Sequence, residues 1–176
     1  ELTMFVGCYC NDPETLAAAM AGAGDDPRVR LVINERAGPT TKADCLNRVY
    51  AALCAEEVRR GVPFTSIIMH DAEDMVHPAA LAVIDRVLEE VRFVQLPVRP
   101  EPQRSSHWIA GHYSDEFTEA HAKSLVVRDG LGAAIPAAGV GCGFSRKALA
   151  ELAASRAAEG GDGPFSSECL TEDYEL

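Results

Sequence analysis

Short apolar runs alternate with longer segments of helical periodicity along the first half of this chain, and that alternation limits the folds open to it. The apolar runs span 3–8, 29–33, 65–69 and 93–98, and the helical segments span 13–22, 42–60 and 78–91. This alternation predicts an α/β fold, in which a mostly parallel sheet is flanked by helices. Ligands of such sheets bind beyond the carboxyl ends of the strands, so residues that follow each apolar run are the first candidates for function.

Local signals predict where two of the helices begin or end. Asp12 precedes Pro13, which predicts an N-cap followed by proline at the first helical position. Gly61 predicts the end of the 42–60 helix. In the second half of the chain we expect a polar helix over 107–127, a glycine- and alanine-rich segment of weak strand character over 133–143, a helix over 145–158 and a helix start at 171.

Length and composition restrict the class of protein. The chain has 176 residues, enough for one domain with a sizeable core, so we expect a single domain over 1–176. A net charge of -11 argues against a nucleic-acid partner and against a polybasic membrane patch. No apolar run approaches the ~18 residues of a membrane span, and we expect this segment itself to be soluble. The six cysteines contain no CxxC pair, which predicts reduced thiols rather than a zinc site.

The densest acidic cluster is Asp71-Ala72-Glu73-Asp74, just beyond the third apolar run. Neighbouring carboxylates repel one another, so a stable fold normally supplies a counter-ion. A divalent cation with oxygen ligands suits them, because residues two apart on an extended segment face the same side. A solvated turn before the next helix would account for the same residues without a metal. The position at the end of a strand favours a site for Mn²⁺ or Mg²⁺.

Three further segments are candidates, each with a plainer alternative. Thr171-Glu172-Asp173 fits a helix start, where the helix dipole would keep Asp173 ionised as a general base requires, although an ordinary cap explains it as simply. Lys42 either favours phosphate at a helix N-terminus or only begins a helix. The glycine-rich stretch 138–147 either lets a ligand approach the backbone or forms a turn, and it lacks the ending of a P-loop.

In this order the segments resemble the family 2 glycosyltransferases, which have the GT-A fold. The motifs that carry the resemblance are Lys42-Ala43-Asp44-Cys45-Leu46-Asn47, Asp71-Ala72-Glu73-Asp74, Gly139 to Lys147 and Thr171-Glu172-Asp173. The chain looks still more like the glycosyltransferase domain of the phage adsorption protein B group, through Phe5-Val6-Gly7, Asn11-Asp12-Pro13, Gly111-His112-Tyr113, Asp115-Glu116-Phe117 and Thr171-Glu172-Asp173-Tyr174. Each motif is short, but their order and spacing together cover nearly the whole chain.

The resemblance implies a nucleotide-sugar site built from six residues, one of which, Asp71, also belongs to the metal site. Asp12 is expected to contact the nucleoside. Lys42 and Asn47 are expected to line the nucleotide pocket, and Gly139 and Gly141 to lie beside the donor sugar.

The resemblance also implies a metal site and a catalytic base. Asp71 and Glu73 match the metal-binding DxD position, where Asp71 also contacts the nucleotide sugar, and Asp74 is the alternative ligand to Glu73. Asp173 matches the catalytic base, with Glu172 beside it.

The activity implied is that of an inverting, metal-dependent hexosyltransferase. The donor would be a nucleoside diphosphate sugar and the acceptor a glycan or a lipid-linked glycan, in bacterial exopolysaccharide or surface glycan synthesis. The resemblance places the parent protein at the cytoplasmic face of the bacterial inner membrane. It also implies membrane spans and a cyclic-di-GMP-linked domain outside this chain.

Two departures from the family pattern lead us to expect a partial domain. The family's first apolar strand is missing before Glu1, and the Gln-x-x-Arg-Trp motif of processive synthases is absent. Because that strand is central in the GT-A sheet, its loss would leave strand edges unpaired. We expect these residues by themselves to have weak or no transferase activity. The alternatives are a catalytically inactive nucleotide-binding or scaffold module of the same fold, and a nucleotidyltransferase, which also groups carboxylates around a metal.

Overall fold

The computed structural model describes residues 2–101 and 107–166. The described residues form two compact units, which are taken separately below. Unit 1 comprises the described residues of 1–64 and 146–176, and unit 2 comprises those of 65–145. Both contain strands and helices, which confirms the α/β class.

Unit 1 is a pair of parallel strands with three helices. Its elements are β1 (Met4–Tyr9), α1 (Pro13–Ala23), β2 (Val29–Asn34), α2 (Lys42–Arg60) and α6 (Arg146–Ala158). The two strands run in register from Met4 opposite Val29 to Tyr9 opposite Asn34. A parallel pair needs a crossover connection, and α1 supplies it, as the strand–helix alternation predicted.

Helix boundaries in unit 1 follow the capping residues. Asp12 accepts a hydrogen bond from the backbone N–H of Thr15, and Pro13 opens α1 as predicted. Thr41 caps α2 by accepting from the backbone N–H of Asp44, and Gly61 ends α2 in the left-handed conformation with φ of 68°. Gly61 was the sequence signal for the end of α2, whereas the Thr41 cap is a finding of the structure.

Unit 2 is a three-stranded sheet with a long helical segment. Its elements are β3 (Ser66–Met69), α3 (Ala80–Val87), β4 (Phe93–Gln95), α4 (His107–Glu119), a π-helical turn (Ala120–Ser124), α5 (Leu125–Gly130) and β5 (Cys142–Ser145). The predicted 107–127 helix is therefore interrupted by a wider turn. Pro78 lies in the turn before α3 rather than opening it, and α3 ends at Val87, before the predicted end at 91.

The order of strands in unit 2 differs from the parallel arrangement expected for the whole chain. β5 lies between β3 and β4 and runs antiparallel to both, with Gly143 opposite Ile68 and Val94. Gly143 makes this position possible, because a Cβ there would overlap the side chain of Ile84 on α3. The parallel part of the expectation holds between β1 and β2.

Each sheet has a strand edge that no described strand covers. Among the described residues, β1 pairs with β2 alone, and β3 lies at the end of the order β3-β5-β4.

The remaining sequence expectations concern thiols and membrane spans. The described part of the chain contains five free cysteines, which are Cys8, Cys10, Cys45, Cys54 and Cys142. Cys169 lies outside the described residues. No helix within the described ranges combines the length and the apolar character needed to cross a membrane.

Candidate functional site

Asp12 and Lys42 lie at the starts of the helices that follow β1 and β2. The Asp12 carboxylate accepts from the Thr15 backbone N–H at 3.0 Å, a hydrogen bond that lowers the pKa of Asp12. Lys42 is the first residue of α2, and both residues are exposed. Because the two strands are parallel, both helix starts are at the carboxyl edge of the pair. Unit 1 thus brings two of the predicted nucleotide contacts to one edge.

Side chains at the end of β1 fix the loop that leads to Lys42. The Asn11 amide donates to the Gly38 carbonyl oxygen at 2.8 Å and accepts from the Gly38 N–H at 2.7 Å. The Tyr9 hydroxyl lies 2.8 Å from the Thr40 hydroxyl. Asn11 belonged to a matched motif but had no role assigned from sequence; here it holds the loop in front of the α2 start.

Asp44 is an ionised residue in the first turn of α2 that sequence reasoning did not single out. It accepts hydrogen bonds from the Asn34 amide at 2.8 Å and from the Arg36 guanidinium at 2.6 Å. The Asn34 hydrogen bond, with help from Arg36, holds the pKa of Asp44 below its usual range in spite of partial burial. The Thr41-x-x-Asp44 spacing, typical of a helix-capping pair, was the signal available in the sequence.

Asn47 makes contacts that differ from the expected nucleotide contact. Its side-chain amide donates to the Phe165 carbonyl oxygen at 2.8 Å and accepts from the Phe165 N–H at 3.0 Å. A Cβ at Gly163 would lie 2.5 Å from the Asn47 side-chain oxygen, so the two segments are in close contact. Asn47 therefore anchors the stretch that follows α6, and its amide is engaged there.

The acidic cluster forms a tight turn directly beyond β3. One carboxylate oxygen of Asp74 accepts from the Asp71 N–H at 3.0 Å and lies 3.0 Å from His70 Nδ1. The Asp74 N–H in turn donates to the Asp71 carbonyl oxygen at 3.1 Å. Asp71 is half-buried and Glu73 is exposed. Asp74 thus stabilises the turn, whereas Glu73 extends into solvent.

The glycine segment, defined here as Ala138–Gly141, runs beside the start of this acidic turn. Gly141 donates its N–H to the Met69 carbonyl oxygen at 3.0 Å, and Met69 is the last residue of β3. Gly139 and Gly141 have φ of 72° and 61°, a backbone region that residues other than glycine rarely adopt. Gly139 is buried and Gly141 half-buried, so Gly141 is the more accessible of the two. Unit 2 therefore places the predicted sugar-binding glycines next to the predicted metal ligands.

Gln95, the last residue of β4, contacts the glycine segment, and nothing in the sequence indicated this contact. Its side-chain nitrogen donates to the carbonyl oxygens of Leu96 and Val140 at 2.8 and 2.9 Å. Its side-chain oxygen accepts from the Ala138 N–H at 2.8 Å. The partners in the glycine segment are 43 and 45 residues away in the chain, so no local pattern could reveal them.

The donor chemistry of the acidic turn fits a hard divalent cation only with help from a substrate. Within residues 2–101 and 107–166, no group of three or more His, Cys, Asp or Glu side chains is placed to hold a metal. Mg²⁺ bound through one or two carboxylates and the phosphates of a substrate needs no such group. Asp71 and Glu73 can supply those two carboxylates. The other two predicted site residues, Glu172 and Asp173, lie outside the described residues.

Comparison with known proteins agrees with the sequence resemblance. A family model described as glycosyltransferase-like family 2 matches residues 1–176. The chain is 40% identical over 174 residues to bacteriophage adsorption protein B of Escherichia coli strain K12 and to bacteriophage N4 adsorption protein B of Escherichia coli O157:H7. In both cases the match covers 98% of this chain and 23% of the relative, so the chain spans about a quarter of the length of these relatives. No solved structure matches. The chain belongs to the glycosyltransferase-like family 2.

Proposed function

We propose that this chain is the catalytic domain of an inverting, metal-dependent hexosyltransferase. It would use a nucleoside diphosphate sugar to extend a glycan or a lipid-linked acceptor in bacterial exopolysaccharide or surface glycan synthesis. The surrounding protein would be held at the cytoplasmic face of the inner membrane and carry a cyclic-di-GMP-linked domain. Membership of family 2 supports glycosyl transfer, and the similarity to a bacteriophage adsorption protein of Escherichia coli supports a bacterial setting. The membrane location and the cyclic-di-GMP-linked domain rest on the sequence resemblance.

One observation carries the proposal for the site. The half-buried Asp71 follows β3 by two residues, and the N–H of Gly141 is bonded to the final carbonyl of that strand. Asp71 and the positive-φ Gly141 are thus near the same strand end, where a diphosphate and its sugar would find a metal ligand and a half-buried backbone. Asp12 and Lys42 would contact the nucleotide, as the sequence resemblance implies, and both lie in unit 1.

The residues divide the chemistry among them. Asp71 and Glu73 would hold Mn²⁺ or Mg²⁺, which when bound neutralises charge on the departing diphosphate. Asp74 would keep the turn in place, because its carboxylate is already engaged by Asp71 and His70.

The transfer step needs one general base. Asp173 would take the proton of an acceptor hydroxyl while that oxygen bonds to the anomeric carbon and the bond from that carbon to the diphosphate breaks. Glu172 would lie beside the base. A single displacement of this kind inverts the anomeric centre and leaves a free nucleoside diphosphate.

A screen of donor turnover in the full-length protein tests the proposal. Wild type is supplied with UDP-glucose, UDP-N-acetylglucosamine and GDP-mannose in the presence of Mn²⁺, and released nucleoside diphosphate is measured. We expect Asp71→Asn to abolish metal-dependent binding of UDP or GDP in calorimetry, whereas Asp173→Asn keeps that affinity and lowers turnover by about 10²–10⁴-fold. Asp85→Asn, on the solvent side of α3, is the control. Unchanged turnover in Asp173→Asn would show that the base is misassigned.

A second candidate is a module that binds nucleotide without turning it over. Asp12 and Lys42, both exposed at the carboxyl edge of the β1–β2 pair, would support nucleotide binding whether or not a catalytic base is present. Metal-dependent nucleotide binding by full-length protein without release of product from any donor would select this alternative.

A further inference from the structure

We propose that Gln95 is a positioning residue for the donor sugar: its side chain sets the shape of the glycine segment and holds it beside the acidic turn. The role in sugar binding rests on the proposed function. The sequence resemblance gave no role to Gln95, and its contacts are with backbone atoms of the segment rather than with any of the acidic residues.

The side chain of Gln95 forms hydrogen bonds with two residues of the glycine segment. The side-chain oxygen takes the Ala138 N–H at 2.8 Å, and the side-chain nitrogen gives one hydrogen bond to the Val140 carbonyl oxygen at 2.9 Å. The same nitrogen donates to the Leu96 carbonyl oxygen at 2.8 Å, which ties the amide to its own strand. One half-buried side chain therefore joins β4 to two residues of the segment, Ala138 and Val140.

Backbone hydrogen bonds hold the last residue of the segment, Gly141. Its N–H donates to Met69 on β3 at 3.0 Å, and its carbonyl oxygen accepts from the Leu96 N–H at 3.0 Å. Gly141 is thus hydrogen-bonded to a strand on each side. Its partner Met69 precedes Asp71 by two residues in the chain. Gly139 lies between the two residues that Gln95 contacts and has φ of 72°. Because glycine has no side chain, nothing in Gly139 itself restricts its backbone to this conformation. The conformation of the middle of the segment depends on the amide that spans it.

Only an amide satisfies this arrangement. Gln95 must both accept from an N–H and donate to carbonyl oxygens, and a carboxamide has one acceptor and two donor hydrogens for that purpose. Glutamate would keep the acceptor but turn a negative oxygen toward the Val140 carbonyl. Methionine would keep the length and lose every hydrogen bond.

The test compares Gln95→Met, Gln95→Glu and wild type in the full-length protein. Ser66→Ala is the matched control, since Ser66 lies on β3 of the same sheet and its hydroxyl donates to Asp85 on the solvent side. Hydrogen exchange measures the Ala138 amide. Calorimetry in Mn²⁺ measures affinity for the donor that wild type turns over fastest among UDP-glucose, UDP-N-acetylglucosamine and GDP-mannose, and for the matching nucleoside diphosphate.

We expect Gln95→Met to speed exchange of the Ala138 amide and weaken binding of the sugar donor by about tenfold, while affinity for the nucleoside diphosphate changes less than about twofold. Gln95→Glu should weaken the donor similarly and keep the Ala138 amide protected. A merely structural role would weaken both ligands alike, and that result would overturn the proposal, as would wild-type donor affinity in Gln95→Met. Wild-type protein that binds neither ligand would instead overturn the proposed function, and the donor role of Gln95 with it.

Discussion

Arg146 donates to both carboxylate oxygens of Glu57, with Nε 2.8 Å from one oxygen and Nη2 2.8 Å from the other. The two side chains are 18% and 12% exposed, so this pair is largely removed from solvent. Glu57 also accepts from the Phe64 N–H at 2.9 Å, and the Arg146 guanidinium lies 5.4 Å from the ring centre of Tyr50. The first residue of α6 is thereby tied to the last turns of α2. A two-point pair of this kind fixes orientation as well as distance.

Removing the charge of Glu57 should destabilise the protein. Glu57→Gln leaves the Arg146 guanidinium without its ionic partner, and we expect the free energy of unfolding to fall by about 2–3 kcal/mol in urea titration at pH 7. Glu119→Gln is the matched control, because the Lys123–Glu119 pair is 69% and 61% exposed and should contribute only about 0.3–0.5 kcal/mol. Equal effects of the two substitutions would contradict the importance of the Arg146–Glu57 pair.

The same pair predicts a pH dependence. Burial raises the pKa of Glu57, but hydrogen bonds from Arg146 and the Phe64 N–H outweigh it and leave the pKa below its usual value. A carboxylate with a lowered folded-state pKa contributes stability above its unfolded pKa of about 4.3, and that contribution is lost as the pH falls through the folded value. The gap in unfolding free energy between wild type and Glu57→Gln should therefore be constant near neutrality and narrow below about pH 4. A constant gap down to pH 2 would show that the pair does not lower this pKa.

His121 should make the protein less stable on mild acidification. Its side chain is buried in the π-helical turn, stacks on Phe117 at 5.6 Å, and its Nδ1 has no hydrogen-bond partner among the described residues. Burial lowers the pKa of His121, so the unfolded chain binds a proton more readily. Stability is fully present above the unfolded pKa of about 6.5 and is lost as the pH falls through the folded value.

The variant His121→Phe isolates this effect. Phenylalanine keeps the ring stack and has no titrating nitrogen, so its unfolding free energy should fall less than that of wild type between pH 7 and pH 5. Measurement at pH 8, where His121 is neutral in both states, provides the reference. Parallel pH curves for the two proteins would rule out His121 as the source.

Gly143 should resist substitution, in contrast to Gly111. A Cβ at Gly143 would overlap Ile84 and lie 3.3 Å from Leu88, so Gly143→Ala should cost about 1–3 kcal/mol through overpacking. Gly111 lies inside α4, where an added methyl group would meet no atom of another segment within 4 Å, and Gly111→Ala should stabilise the helix by about 0.5–1 kcal/mol. Thermal unfolding of both variants gives the comparison. Adding Ile84→Ala to Gly143→Ala should cost less than the sum of the single changes, and strict additivity would speak against the clash.

Two substitutions at Asp12 separate its helix cap from its proposed nucleotide contact. Asp12→Asn retains a side-chain oxygen for the Thr15 N–H and should leave thermal stability nearly unchanged, while Asp12→Ala should lower it. If Asp12 contacts the nucleoside through its charge, both variants should bind UDP or GDP more weakly than wild type in calorimetry. Weakened binding in Asp12→Ala alone would indicate that only the cap matters.

Local patterns predicted those parts of the fold that local physics determines. The helix expected over about 42–60 is found at Lys42–Arg60, because an apolar face at helical spacing and the left-handed Gly61 are local signals. The antiparallel direction of β5 was not predictable in this way. It depends on the space beneath Ile84 that Gly143 leaves open, and that contact joins residues far apart in the chain.

The residues of the candidate site also fall into those with a local sequence signal and those whose contacts join distant parts of the chain. Asp71 and Gly141 were identified from short motifs, and the structure places them at one strand end. Gln95 and the Phe165 contact of Asn47 were not foreseen, because their partners lie 43 to 118 residues away and only folding brings them together. Side chains that hold other segments in place carry no local signature, whereas capping residues and acidic clusters do.

The engagement of Asn47 with Phe165 affects how substitutions at that position should be scored. A survey that ranks positions by lost turnover would group Asn47 with Asp71. Substitution of Asn47 releases the chain after α6, whereas substitution of Asp71 removes a charge that we propose binds the metal. Mistaking the first for the second would attribute to nucleotide binding an effect that comes from losing the Phe165 hydrogen bonds.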